Sequence, residues 1–350
     1  MEITDMEVFH LSVPYIPEVQ KHMHRALHPT IVRVHTDEVD GIGGGSHETE
    51  WTPMERLLKE FLKLKGKDPL KLDLRRVTYP FNVALYDIVG KRLGVPISYL
   101  LGGQVRDKVP LAYWTHALAT PEETASEAVA AVKSGFKVLK WHSSPKPEMT
   151  VKKAKAIHDA VGDRLAIRID MKYEENVLWD FATTLKIARK VREYNIECLE
   201  DPLPLPRNPE LHRLLRLKVD IPLAWHTSNP KEVLKAVRHE ACDYINIDRC
   251  RDINLGLKAA AVASIAGKPV WTATSGGSTG VNYVFGLHLA SVIENATLPS
   301  DGVFMLQEDF VKEPLPSIAE GFSEVPRGPG LGVELDENAI EAYVAREFDQ

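Results

Sequence analysis

Residues 2–14 alternate apolar and polar positions, and Thr30-Ile31-Val32-Arg33-Val34-His35-Thr36 repeats the alternation before the turn signal Asp40-Gly41. A period of two marks a strand with one buried face, so these stretches predict a small antiparallel sheet. Apolar residues at helical spacing then predict helices over 55–65 and 82–93, the second stopped by Gly94-Val95-Pro96. From residue 109 the texture changes. Short apolar runs at 109–114, 138–142, 165–170, 198–200, 223–226, 244–248, 270–274 and 303–306 alternate with amphipathic stretches such as 121–134, 149–161, 179–194, 229–239 and 255–265. Eight strands separated by helices predict a parallel sheet closed into a barrel. The last turn-rich segment, Val325-Pro326-Arg327-Gly328-Pro329-Gly330-Leu331-Gly332-Val333, precedes a short helix.

Composition narrows the partners. A chain of 350 residues, 44% hydrophobic and 26% charged, is long enough for a barrel plus a smaller domain. Its net charge of -6, with no cluster of Lys and Arg, argues against nucleic acid. Cys198, Cys242 and Cys250 have no CxxC spacing, which suits a reduced compartment and a cytoplasmic protein. No apolar run of about 18 residues occurs, and Met1-Glu2-Ile3-Thr4-Asp5 is not a basic-then-apolar leader, so no membrane association is expected.

Ionisable residues recur at the predicted strand ends, where parallel barrels carry their chemistry. Lys140 and His142 share one strand face, followed by Asp170 and Lys172, Glu200 and Asp201, His226 and Thr227, and Asp248. A ring of such groups from separate strands points to a site. The loop around His22, His24, Arg25 and His28 reads either as a recognition element or as solvated chain. Trp114, Trp141, Trp225 and Trp271 stand near strand ends; they suit either a pocket wall, with Trp114 and Trp271 as substrate contacts, or plain packing.

Three stretches carry a family likeness: Ala84-Leu85-Tyr86-Asp87-Ile88-Val89-Gly90-Lys91 with Leu100-Leu101-Gly102-Gly103, then Glu200-Asp201-Pro202, and Pro329-Gly330-Leu331-Gly332-Val333. In these the chain resembles the enolase superfamily, in the branch of mandelate racemase and muconate lactonizing enzyme. The resemblance implies a (β/α)7β TIM-type barrel over 109–310, an α+β capping domain over 1–108, and a C-terminal segment, 311–350, returning to the cap. It also implies a homo-oligomer and a divalent metal, usually Mg2+, that binds a carboxylate substrate and stabilises the enolate left by loss of an α-proton. Removing so weak an acid requires both a placed base and concentrated positive charge.

Asp170 and Glu200 match the family's third- and fourth-strand ligands. The third ligand departs from the pattern: in Pro222-Leu223-Ala224-Trp225-His226-Thr227, Thr227 stands in the acid's place and His226 beside it. An imidazole ligand would shift preference toward Mn2+ or Zn2+. Where the family has Asp-x-Asn, this chain has Asp170-Met171-Lys172, so Lys172 is a candidate to replace the metal's charge in a metal-free site. His142 takes the place of the second lysine of Lys-x-Lys and is the candidate base; Lys140 polarises the carboxylate or lowers a neighbouring pKa. Asp248 falls where relatives place a supporting acid or a base, and the seventh-strand His is missing. Three readings remain beside one another: a dehydratase or epimerase/racemase acting on an acid sugar or amino-acid derivative, a carboxylate-binding protein without catalysis, and a metal-independent enzyme using Lys172 in place of the metal.

Overall fold

The computed structural model describes residues 1–20, 26–46, 50–115, 119–143, 146–171, 179–203, 207–247, 252–273, 278–302 and 306–345. His22, His24, Arg25, Lys172, Asp248 and Cys250 lie outside the described residues.

The first sheet is antiparallel, β1 (Ile3–His10), β2 (Thr30–Thr36) and β3 (Gly41–Gly44) in that order. β3 is a strand where sequence reading gives only a turn. Its glycines serve close packing: a Cβ on Gly43 would stand 2.5 Å from the Pro80 carbonyl oxygen and 2.6 Å from the Ala84 nitrogen, on the helix Phe81–Leu93. That helix ends with Gly94 in the left-handed region, φ 69°.

Seven parallel strands follow in spatial order: β4 (Lys108–Trp114), β5 (Val138–His142), β6 (Ala166–Asp170), β7 (Ile196–Glu200), β8 (Leu223–His226), β9 (Tyr244–Ile247) and β10 (Val270–Thr272). β11 (Ser300–Asp301) pairs in parallel with β4, and Asp301 bridges in parallel to Ala273 beyond β10, closing the barrel. The eighth strand thus stands a few residues before the expected 303–306, of which 303–305 lie outside the described residues. A hairpin of β12 (Ile318–Ala319) and β13 (Phe322–Glu324) adds antiparallel to the start of β4.

Alternation along the barrel strands sorts the side chains. Leu139, Trp141, Ile167, Ile169 and Leu199 are buried in one large hydrophobic cluster with Ala128, Ala154 and Ile157 of the surrounding helices. The residues between them, Lys140, Arg168, Asp170 and Glu200, therefore face the barrel interior. Helix starts are chemically marked: Thr120 and Glu123 form a reciprocal capping box before Pro121–Lys133, and Asn208 and Asn229 cap helices that begin at Pro209 and Pro230. Two helices escape the sequence pattern. Pro209–Arg216 is short, and Gly280–Val292 is buried on all sides from Gly280 to Ser291, so no polar face reveals its period.

The C-terminal segment is pinned to the first helices. Asp87, fully buried, accepts hydrogen bonds from the backbone N–H of Leu331 at 2.8 Å and of Ile42 at 3.0 Å, and pairs with Lys91 at 2.8 Å. No helix among the described residues is long and apolar enough to cross a membrane.

Candidate active site

Strand register sets the height of each group. His142 pairs with Asp170 and Asp170 with Glu200, so three functional side chains stand level at the C-terminal ends of β5, β6 and β7. Glu200 pairs with Ala224 in β8, which leaves His226 one pleat farther out. Its ring turns back to the acid, with Nδ1 3.2 Å from Glu200 Oε1.

Lys140, one pleat deeper on β5, sends its ammonium into the middle of the acids. Nζ lies 2.8 Å from Glu200 Oε2, 2.8 Å from Asp301 Oδ2 and 3.4 Å from Asp170 Oδ2. The contact with Asp301 is an aligned hydrogen bond, whereas Glu200 Oε2 has no aligned donor and meets Lys140 as a charge. Glu200 Oε1 accepts from Asn246 Nδ2 at 2.6 Å. Asp201, in the left-handed region at φ 45°, turns away from the interior. It grips Arg207 in a two-bond fork at 2.9 and 2.6 Å and accepts from the His226 backbone N–H at 3.2 Å. The Glu-Asp-Pro motif therefore places one ligand candidate directly and a second through its backbone.

Electrostatics follow from burial and crowding. Burial, and next the Glu200 carboxylate, push the Asp170 carboxyl up to about 7. Burial raises Glu200 too, but Lys140 and His226 outweigh it and hold Glu200 well below the usual carboxylate range. For Lys140 burial opposes the charge, and Asp301, Glu200 and Asp170 together overcome it, leaving a permanent cation.

His142 is a quarter exposed, its Nε2 lies 3.4 Å from Asp170 Oδ2, and its ring leans on Trp114 with centroids 5.5 Å apart. Thr227 Oγ1 accepts from the Asn229 N–H at 3.1 Å, a turn that begins the helix Pro230–Arg238. Trp271 is corrected: it is wholly buried, its Nε1 donates to Asp301 Oδ2 at 3.2 Å, and Arg168 stacks on its face at 3.9 Å. It offers a substrate no surface, and Trp141 and Trp225 are buried likewise. Sequence reading missed Asp301 because the eighth strand was expected two residues later, and missed Asn246 and Arg168 because an amide and an arginine inside a strand carry no motif.

Asp170, Glu200 and His226 form a group able to hold a metal ion, with one ligand atom from each lying within 4.8 Å of the others. Their chemistry fits a divalent cation: two crowded buried acids, with the Asp170 carboxyl pushed up by burial first and by Glu200 next, gain from further positive charge, and an imidazole adds a borderline donor.

Comparison with known proteins agrees with this geometry. The enolase C-terminal domain-like family profile matches residues 123–339. Muconate cycloisomerase 1 of Rhodococcus opacus is 30% identical over 86% of this chain and 83% of its own length. D-xylonate dehydratase of Haloferax volcanii is 26% identical over 94% of this chain and 89% of its own. The crystal structure of N-succinyl Arg/Lys racemase from Bacillus cereus matches with a TM-score of 0.84 at 23% identity, covering 99% of both chains. From the strand-end acids, the closed barrel and these likenesses together, the chain belongs to the enolase superfamily, in its mandelate racemase/muconate lactonizing branch.

Proposed function

We propose that this protein is a dehydratase that removes the α-proton of a small β-hydroxy carboxylate, with His142 as the base. The observation that carries the reading is the meeting of His142, Lys140, Asp170 and Glu200 at the ends of three adjacent strands. The Cα–H bond breaks, its proton passes to the His142 imidazole, and its electron pair moves into the enediolate. The enediolate then expels hydroxide from the adjacent carbon, and the imidazolium returns the proton so that water leaves and an α,β-unsaturated carboxylate remains, which is an enol when the α-carbon carries a hydroxyl, as in D-xylonate. Asp170 beside the ring orients it and stabilises the imidazolium. Lys140 holds a fixed positive charge beside the developing anion. Asp170, Glu200 and His226 would hold a divalent cation, Mg2+ by family habit or Mn2+ given the imidazole, and that ion supplies charge stabilisation for the enediolate.

Racemisation or epimerisation is the second reading, favoured by the fold shared with the N-succinyl Arg/Lys racemase; it needs a second proton carrier on the opposite face. Both readings are tested by NMR in D2O with D-xylonate and N-succinyl-L-arginine as probes. Loss of water, with solvent deuterium on the former β-carbon once the enol ketonises, supports dehydration; deuterium at Cα with both configurations supports racemisation. His142→Ala is expected to slow exchange about 10²- to 10⁴-fold. Undiminished exchange in that variant overturns the assignment, and binding without any exchange in the native protein marks a non-catalytic carboxylate binder.

A further inference from the structure

Beneath the acids lies a second polar layer in a place that barrels ordinarily fill with Val, Ile and Leu. Arg168, wholly buried on β6, donates from Nε and NH2 to Glu197 at 2.7 and 3.2 Å. Its NH1 donates to Asp301 Oδ1 and to the Pro299 carbonyl, both at 2.9 Å. Asp301 Oδ2 receives Lys140 Nζ at 2.8 Å and Trp271 Nε1 at 3.2 Å. Both oxygens of Asp301 are thus engaged, and among the described residues donors on three strands hold its carboxylate. Burying such a network carries a desolvation penalty that an aliphatic layer would avoid, so what it yields is position.

We propose that Asp301 is a positioning residue: held from below by Arg168 and Trp271, its carboxylate draws the Lys140 ammonium to one place beside Asp170 and Glu200. A lysine has four rotatable bonds, and with only Asp170 and Glu200 as partners its ammonium would settle squarely between them. Asp301 pulls from a third side. Charge balance points the same way, because Lys140 and Arg168 are matched by Asp301 and Glu197. The catalytic consequence rests on the α-proton reading above, whereas the placement of Lys140 does not depend on it.

The experiment labels the protein with 15N-lysine and observes the Lys140 ammonium, identified by its disappearance in Lys140→Met. The native protein should show a slowly exchanging, hydrogen-bonded ammonium signal, and Asp301→Asn, isosteric but uncharged, should shift it or broaden it away. Should Asp301→Asn fail to fold, Trp271→Phe removes a single donor to Asp301 and should still displace the signal. An ammonium signal unmoved by a folded Asp301→Asn, or by Trp271→Phe where the first variant is lost, overturns the proposal. In parallel, α-proton exchange from D-xylonate and N-succinyl-L-arginine is followed. A displaced ammonium should lower kcat/KM by about 10- to 100-fold, mostly in kcat, because the charge it meets grows as the proton leaves. If the native protein exchanges neither probe while the ammonium signal still responds to Asp301→Asn, the proposed function fails and the positioning role stands.

Discussion

Asp87→Ala probes the tie between the C-terminal segment and the first sheet. The carboxylate is fully buried and is the acceptor for two buried backbone donors, Leu331 N–H and Ile42 N–H. Gly330, at φ +67°, brings the segment so close that a Cβ there would stand 2.1 Å from Asp87 Oδ1, so the loop cannot approach another acceptor without its glycine. Alanine leaves both N–H groups unsatisfied, at about 1–3 kcal/mol each. Burial pushes the Asp87 carboxyl above its ordinary range, so losing the charge recovers part of a desolvation penalty, and Lys91, a quarter exposed, can return to water. The orphaned donors dominate, and the expected loss is about 3–4 kcal/mol. Asp87→Asn keeps one oxygen acceptor and should lose about half as much. Urea titration followed by circular dichroism measures both, as a fall in midpoint at unchanged slope. A loss below about 1 kcal/mol for Asp87→Ala, or equal losses for the two variants, would show that the tie is not carried by these hydrogen bonds.

Three other outcomes are expected. His288, wholly buried in the helix Gly280–Val292 with Nε2 3.1 Å from the Leu331 carbonyl, is pushed down to about 4 by burial. The unfolded chain takes up that proton near pH 6.5 and the folded one near 4, so its share of stability is whole above 6.5 and declines by roughly 3 kcal/mol as pH falls to 4; His288→Gln should flatten that part of the urea-stability profile, and an unchanged slope counts against it. Gly43→Ala should cost about 1–3 kcal/mol through collision with Pro80 and Ala84, and a neutral effect in thermal melts would mean the strand can retreat from the helix. Elemental analysis after incubation with Mg2+, Mn2+ and Zn2+ should find near-stoichiometric metal that Asp170→Ala abolishes; equal metal in the variant would place the ion elsewhere.

Much of the scaffold was legible in one dimension. Short apolar runs between helical stretches located the strands from β4 to β10 within a few residues, because a parallel strand buried on both faces reads as a near-continuous apolar run. The acids Asp170 and Glu200, and the Lys140/His142 pair, were visible because strand ends are marked by the turn residues that follow them. The β3 glycines were misleading: glycine reads as a turn, and only the helix lying against it reveals that the missing side chain makes room for packing. The buried helix Gly280–Val292 had no polar face to betray it.

What sequence by itself determined is therefore a barrel of alternating strands and helices with ionisable groups at the strand ends. Tertiary structure alone decided which of those groups meet. Register between strands brought His142, Asp170 and Glu200 level and put His226, two residues beyond the partner of Glu200, beside the acids, and barrel closure brought Asp301 to Lys140, 161 positions apart in the chain. Each of these depends on contacts between residues far apart along the chain. Local alternation can say which way a side chain faces; only the closed barrel settles what it faces.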